Sequence, residues 1–203
     1  QSGANIISEN SNTITVGASG DTITVPSGAT HSIAGTLSGS GTVDLSSATV
    51  TLNDSMKMTP FFHATIGSTQ SISHATNTKI AFNSEITDTD SAYDNSNYKF
   101  TVPSGQGGTY FFQLNVNLHD FSTNDAKRVI VRLYKNGGTI VSFHAEHQAA
   151  NDGSAGHRTS ASTFLVLAAG DYIEPYVYQN SGNSYNLLAD QADNNFAGFK
   201  VIK

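Results

Sequence analysis

Two short groups of side chains could carry metal or acid–base chemistry. The first is His144-Ala145-Glu146-His147, which places two imidazoles and a carboxylate within four residues. Alternate side chains of a strand point to opposite faces, so His144 and Glu146 would share one face and His147 would lie on the other. The two histidines therefore cannot hold one metal ion from within a single strand. A strand at the solvent or at an interface is the favoured interpretation.

The second group is the acidic sequence DTDSAYD, in which Asp88, Asp90 and Asp94 carry the oxygen atoms that calcium prefers. It lacks the glycine of the EF-hand calcium loop, so a solvated turn is favoured over a bound ion. No cofactor is expected, with calcium as the alternative. The chain contains no Gly-x-Ser-x-Gly elbow, no His-Glu-x-x-His sequence and no phosphate-binding glycine loop before a helix. These patterns predict a protein that is not an enzyme.

Composition excludes several further classes of function. Charged residues make up 13% of the 203 residues, and the formal net charge is −6. Binding to a phosphate backbone needs clustered Lys and Arg, so no nucleic acid partner is expected. The absence of cysteine excludes disulfide scaffolds and thiolate metal sites. No apolar run reaches transmembrane length, so no membrane insertion is expected.

The clearest structural pattern lies in residues 108–121, GTYFFQLNVNLHDF. Polar Gln113, Asn115 and Asn117 occupy one parity of this segment. The other parity is apolar and consists of Tyr110, Phe112, Leu114, Val116 and Leu118. Such alternation predicts a half-buried strand, which needs a second sheet to cover its apolar face.

The rest of the chain after residue 60 supplies that sheet. Similar patterns predict about ten strands and no helix. They cover residues 61–66, 79–85, 98–102, 110–118, 128–134, 139–145, 159–167, 172–178, 185–189 and 196–202. Turn sequences separate them, above all Asn136-Gly137, which is suited to a tight hairpin. The prediction is an all-β sandwich.

Residues 1–58 form a different segment, rich in Ser, Thr and Gly. Short β-branched runs occur at 13–16, 22–25 and 49–52, and the sequence TITV appears twice, nine residues apart. Each run holds too few apolar side chains to be stable alone, so we expect the segment to wrap against copies of itself as the end of a fibre shaft. A flexible Gly/Ser linker is the alternative. The chain opens on Gln1 without an initiating Met or a leader, and we expect it to be a portion of a longer protein.

Six sequence blocks in residues 59–203 occur in a characteristic order and spacing. They are Phe62-His63-Ala64, IAFN at 80–83, YKFTVP at 98–103, LYKNG at 133–137, LVL at 165–167 with GDYI at 170–173, and FAGF at 196–199. Together they resemble the globular head of complement C1q and the tumour necrosis factor-like family. The resemblance implies a ten-stranded jelly roll that assembles as a homotrimer. A β-rich segment replaces the collagen-like stalk, and this combination resembles bacteriophage fibre and appendage proteins.

Two predicted strands carry large side chains on the face that points away from the core. In YIEPYVY at 172–178 the core parity leaves Tyr176 and Tyr178 outside, and in 128–134 it leaves Ile130 and Tyr134 outside. Outward aromatic side chains on neighbouring strands indicate a buried partner surface. These four residues are predicted to form the trimer interface.

Receptor recognition is predicted in the loops at the end of the head that lies away from its two termini, because binding residues concentrate in exposed loops. The loops 120–126, 147–157 and 180–184 are polar and rich in Asn or Gly, and Phe121 and Tyr185 would add an apolar platform. The candidate receptor-binding residues are Asp120, Phe121, Asn124, Asp125, Asn151, Asp152, His157, Asn183 and Tyr185.

The sequence therefore predicts a noncatalytic trimeric appendage at the surface of a virion, such as a phage tail fibre or spike. Its jelly-roll head would recognise a host-surface receptor or glycan, and its N-terminal segment would contact other virion proteins. One alternative is a capsid or tail decoration protein with a structural role. Another is a secreted lectin-like module.

Overall fold

The structure is a computed structural model that describes residues 7–10, 13–16, 34, 57–119, 127–148 and 156–201. The regular secondary structure of these residues consists of β-strands. Within the same ranges, no helix has the length and hydropathy that a membrane crossing requires. The chain divides into two compact units, residues 1–50 and residues 51–203.

In the first unit the described residues form an antiparallel hairpin. Strand β1 (Ile7–Asn10) pairs with β2 (Thr13–Val16), so that Ile7 lies opposite Val16. The predicted strand at 13–16 is confirmed. The strands predicted at 22–25 and 49–52 lie outside the described residues, and the shaft remains a prediction.

The second unit contains thirteen strands in its described part. They are β3 (Phe61–Thr65), β4 (Gln70–Ile72), β5 (Asn77–Lys79), β6 (Ser84–Asp88), β7 (Tyr93–Asp94), β8 (Lys99–Thr101), β9 (Gly108–His119), β10 (Lys127–Lys135), β11 (Thr139–Gln148), β12 (His157–Leu167), β13 (Tyr172–Gln179), β14 (Tyr185–Leu187) and β15 (Asn195–Lys200).

These strands form two antiparallel sheets. The first, here called the β9 sheet, has the order β4-β14-β9-β15-β3-β6, and β12 also pairs with β9. The second, the β10 sheet, has the order β11-β10-β13-β8-β7, with β5 also paired to β13. The predicted all-β jelly-roll sandwich is confirmed.

The core lies between the two sheets and is dominated by aromatic rings. The Phe62 ring of the β9 sheet stacks on Phe100 and Tyr93 of the β10 sheet, with ring centroids 5.0 Å apart in both pairs. Phe196 packs edge-on against Phe62 at 4.9 Å. Strand β9 has the predicted parity, since its apolar residues are at most 1% exposed: Tyr110, Phe112, Leu114, Val116 and Leu118.

A glycine on β15 permits this packing. A Cβ atom at Gly198 would lie 2.6 Å from the Phe112 ring and 2.8 Å from the Phe62 ring. Real Cβ atoms do not approach side chains so closely in a packed interior. Gly198 therefore lets the two rings meet over the backbone of β15.

The predicted strand at 79–85 is wrong, because this segment crosses from one sheet to the other. Strand β5 ends at Lys79 in the β10 sheet, and β6 begins at Ser84 in the β9 sheet. Ile80 and Phe82 are fully buried in the crossing. The Gln70 side chain replaces ladder hydrogen bonds there, donating to the Lys79 carbonyl and accepting from the Ala81 amide, both at 2.8 Å.

The hairpin between β10 and β11 has the turn that its sequence predicted. Asn136 and Gly137 have φ angles of 52° and 74°, and the Gly138 amide donates to the Lys135 carbonyl at 3.3 Å. Two successive positive φ values match the right-handed twist of the flanking strands. This turn joins the two strands that form one end of the β10 sheet.

Candidate functional site

An apolar patch covers part of the outer face of the β9 sheet. Phe111 lies opposite Phe164 on β12 and opposite Phe199 on β15, with ring centroids 5.0 and 5.5 Å apart. Phe164 is 66% exposed and Val166 is 78% exposed. A cavity of about 210 Å³ opens beside Phe61, Phe111 and Phe199. We call Phe61, Phe111, Phe164, Val166 and Phe199 the aromatic patch.

A polar cavity of about 360 Å³ lies further along the same sheet. Arg158 on β12 binds Asp193 through two parallel hydrogen bonds, Nε to Oδ1 at 3.0 Å and Nη2 to Oδ2 at 2.9 Å. Arg158 and then Asn117, which donates to the same carboxylate at 2.7 Å, hold the pKa of Asp193 below its usual value. The cavity, here called the Arg158 pocket, is lined by Asn115, Val116, Arg158, Thr159, Ser160, Ala192 and Asp193.

The loop before β15 forms one wall of this pocket and is fixed by Asn194. This residue is fully buried. Its Oδ1 accepts from the Asn117 amide at 2.8 Å, and its Nδ2 donates to the Leu188 carbonyl at 3.1 Å. Its carbonyl accepts from the Thr65 hydroxyl at 2.7 Å. The loop is thus bonded to β9, to β3 and to itself.

The outer face of the β10 sheet carries the residues predicted as the trimer interface. Ile130, Tyr134, Tyr176 and Tyr178 all lie on the outward parity, as predicted. The rings of Tyr134 and Tyr176 meet edge-on at 4.7 Å, and the Arg132 guanidinium lies 5.5 Å from the Tyr178 ring centre. Their role in a trimer remains a prediction.

Polar groups of the same chain already contact two of these tyrosines, Tyr134 and Tyr178. Asn77 donates from Nδ2 to the Tyr134 hydroxyl at 3.0 Å and accepts from Arg132 Nη1 at 2.7 Å. Ile130 is only 6% exposed, although it points outward. The four predicted interface residues are therefore more engaged than the aromatic patch is, although Phe143 and Ile140 on the neighbouring β11 are 67% and 46% exposed.

Two of the predicted receptor-binding residues are corrected by their burial. His157, at the start of β12, is 7% exposed, and Tyr185, at the start of β14, is 9% exposed and packs in the core. Both occupy inward positions of their strands, so neither offers a surface to a receptor. Asn183 is exposed, with its carbonyl accepting from Gln179 Nε2 at 2.7 Å. The other six lie outside the described residues: Asp120, Phe121, Asn124, Asp125, Asn151 and Asp152.

The acidic sequence at 88–94 forms a turn whose carboxylates bind groups of the same chain. Asp88 accepts from the Tyr93 amide at 2.8 Å, and Asp94 accepts from the Ser96 and Asn97 amides at 2.9 Å. Among the described residues no group of three His, Cys, Asp or Glu is placed to hold a metal ion. Calcium binding remains an untested alternative. His144 is exposed, and the side chains of Glu146 and His147 lie outside the described part.

Neither feature of the β9 sheet was predicted from the sequence, although Phe111 interrupts the polar parity of β9. Phe111 lies on the polar parity of β9, between positions that face the core. Arg158 and Ser160 lie on the outward parity of β12, opposite Asn117 and Asn115. Phe111, an apolar residue at a polar position, could have indicated the patch. The pocket had no comparable signal, because Asp193 is distant in sequence.

Two antiparallel sheets packed face to face, with an exposed apolar patch on one of them, define a jelly-roll module. The family model for the C1q domain matches residues 61–201, and the chain belongs to this family. The family resemblance predicted from the sequence is confirmed. Domains of the family are generally noncatalytic, and they typically form homotrimers.

Similar proteins come from bacteria and animals. Over 145 residues the chain is 28% identical to the uncharacterized protein YqcC of Bacillus subtilis (strain 168), which covers 68% of this chain and 38% of that protein. The chain thus spans well under half of this curated relative. A crystal structure of murine APRIL aligns with 70% of this chain and 98% of its own at 13% identity, with a TM-score of 0.51. The globular domain of zebrafish complement 1qA covers 70% and 97% at 18% identity, with a TM-score of 0.45.

Proposed function

We propose that this chain is a noncatalytic homotrimeric recognition module, the head of a virion appendage such as a phage tail fibre or spike. It recognises a receptor or glycan on the host surface, and its N-terminal segment contacts other proteins of the particle. The observation that carries the proposal is the aromatic patch on the β9 sheet of a C1q domain. In the trimer, this patch binds a second copy of the chain.

The exposed apolar surface decides where the copies meet. Phe164 and Val166 are 66% and 78% exposed, and contiguous apolar surface of this kind marks interaction sites. Tyr134 and Tyr178 of the β10 sheet are by contrast contacted by Asn77 and Arg132. Burial of the aromatic patch removes more bare apolar surface from water than burial of those tyrosines does. We therefore place the trimer contact on the β9 sheet instead of on Ile130, Tyr134, Tyr176 and Tyr178.

Three observations support an appendage in particular. The bacterial relative is much longer than the matched region, as expected when such a head is carried on a larger protein. The first unit contains a β-hairpin, as a β-rich shaft would require. The low share of charged residues, 13%, suits a protein whose surface is made polar by Ser, Thr and Asn.

The self-association is tested by two matched substitutions. Phe164 and Phe143 are 66% and 67% exposed, but Phe164 is on the β9 sheet and Phe143 is on the edge strand of the β10 sheet. Light scattering after size exclusion should give three times 21.4 kDa for the wild type and for Phe143→Asp. Phe164→Asp should give a monomer, because three unpaired carboxylates would be buried. A monomeric wild type would refute the trimer, and dissociation by Phe143→Asp or Tyr176→Asp alone would move the contact to the β10 sheet.

The recognition role is tested by binding of the fluorescently labelled wild-type trimer to a panel of bacterial strains. We expect saturable binding to a subset of strains, with the Phe164→Asp monomer bound more weakly because linked sites raise the apparent affinity. Binding to no strain, together with binding to virions, would support a decoration protein instead.

A further inference from the structure

The Arg158 pocket lies on the β9 sheet beyond the aromatic patch. Phe111 of the patch and Asn115 of the pocket are four residues apart on β9, a separation of about 13 Å at the rise of a strand. The two features therefore occupy different parts of one sheet face. The pocket volume of about 360 Å³ falls within the usual range for small-ligand sites and suits a single sugar ring.

The pocket offers hydrogen-bond donors and acceptors side by side. Ser160 is exposed and lies directly opposite Asn115 across β12 and β9. Asn115 donates to Asn195 Oδ1 at 2.8 Å, while its own Oδ1 accepts from Gln113 Nε2 at a long 3.4 Å. A hydroxyl both donates and accepts, so a ligand with several hydroxyl groups matches a lining of hydroxyl, amide and carboxylate groups.

The charges cancel among the described residues that line the pocket. Arg158 is the cation of the lining and Asp193 is the anion, and they are joined by two hydrogen bonds. Anionic ligands such as phosphate are typically bound by a free guanidinium fork, and here the Asp193 carboxylate occupies that fork. The pocket therefore favours an uncharged ligand over an anionic one.

The walls of the pocket are fixed without a ligand. Arg158 and Asn117 both hold Asp193, and the buried Asn194 holds the adjoining loop. Little conformational freedom is lost when a ligand binds to such a surface, which favours affinity. No aromatic ring lies among the described lining residues, so we expect the contact of a single sugar to be weak.

We propose that the Arg158 pocket binds a neutral saccharide through its vicinal hydroxyl groups. This inference rests on the proposed recognition role and supplies the ligand class and the site. Three copies in one trimer compensate for a weak individual contact by effective concentration. Within the described surface, the Arg158 pocket takes the place of His157 and Tyr185 as the proposed binding site, because both residues are buried.

The experiment is ligand-observed NMR on the wild-type trimer with a panel of neutral methyl glycosides, using glucuronic acid and glucose 6-phosphate as anionic comparators. Ser160→Tyr should block the pocket, and Ser162→Tyr is its matched control, since both serines are exposed on the outward face of β12 but Ser162 does not line the pocket. We expect saturation transfer to at least one neutral glycoside and at least a tenfold loss of affinity in Ser160→Tyr. Ser162→Tyr should retain wild-type affinity, and both variants should keep the trimer mass.

The outcomes separate this inference from the proposed function. If the wild-type trimer binds bacterial cells and Ser160→Tyr binds them equally well, the pocket is not the recognition site, although the recognition role stands. Preference for the anionic comparators, or saturation transfer to none of the neutral glycosides, would also overturn the saccharide inference. If the trimer binds no cells but Ser160→Tyr still abolishes glycoside binding, the recognition role fails and the saccharide site remains.

Discussion

Phe112 lies at the centre of the aromatic core. It is fully buried, and its ring packs against Phe100, Tyr110 and Phe196 with centroids 5.5 to 6.1 Å apart. We expect Phe112→Ala to lower the free energy of unfolding by about 3 to 5 kcal/mol, from lost apolar burial and from the cavity that remains. Chemical denaturation at one fixed protein concentration measures this change.

The neighbouring Gln113 is the control for this prediction. It is exposed on the opposite face of β9, and among the described residues its side chain makes one long hydrogen bond, of 3.4 Å, to Asn115. Gln113→Ala should change the free energy of unfolding by no more than about 0.5 kcal/mol, as exposed positions usually do. Equal costs for the two substitutions would show that the parity of β9 is not the basis of the core.

At the residue scale, parity predicts which side of a strand faces the core but not which outward residues are covered. The apolar positions of β9 were predicted from alternation alone, because one face of that strand is buried along its length. Asn117 lies on the polar parity and yet is 1% exposed, since the loop with Asp193 and Asn194 covers it. Coverage by a loop distant in sequence has no periodic signal.

At the element scale, a network at one end of the β10 sheet ties the β10–β11 turn to the start of β13. Asp171 pairs with Lys135 at 2.7 Å and accepts from Asn136 Nδ2 at 2.8 Å. Asn136 Oδ1 in turn accepts from the Tyr172 amide at 2.9 Å. Lys135 first, then Asn136 and the Ala168 amide, lower the pKa of Asp171 from 3.8 to about 2.

This shift predicts how acid affects the network. The folded state favours the ionised carboxylate, so its contribution to stability is complete above pH 4 and is lost as the pH falls toward 2. We expect Asp171→Asn to be less stable than the wild type at pH 6 and the difference to shrink between pH 4 and pH 2. Urea unfolding of both proteins at each pH measures it. A difference that is constant over this range would contradict the assigned pKa.

The elements themselves were largely predictable where a strand is long and one of its faces is buried. The strands predicted at 128–134 and 172–178 match β10 and β13 to within one residue at each end. The short β4 and β7 were missed, because each contains a single large apolar residue, Ile72 or Tyr93, and so shows no alternation. The crossing at 80–83 was read as strand because Ile80 and Phe82 alternate with Ala81 and Asn83 as strand residues do.

At the scale of the whole second unit, the two sheets differ in the side chains on their outer faces. On the β10 sheet, Asn77 binds the Tyr134 hydroxyl and Arg132 lies over the Tyr178 ring, while Phe143 on the edge strand β11 is 67% exposed. The β9 sheet leaves phenylalanine and valine bare at one end and carries a polar pocket further along. Such a division suits a molecule that associates through one part of a sheet and keeps another part for a ligand. Outward apolar parity alone could not predict which sheet carries the more exposed apolar surface, because that exposure depends on contacts between strands distant in sequence.

Self-association makes a further prediction about stability. When the folded state is a trimer and the unfolded state is a monomer, a hundredfold increase in protein concentration stabilises each chain by about 2 kcal/mol. For a chain of this size that raises the melting temperature by roughly 4 to 8 °C. Calorimetry of the wild type at two concentrations should show this rise, and Phe164→Asp should melt at a temperature independent of concentration. Phe143→Asp, whose equally exposed ring lies on the β10 sheet, should behave as the wild type does. A melting temperature of the wild type that does not change with concentration would contradict association through the aromatic patch.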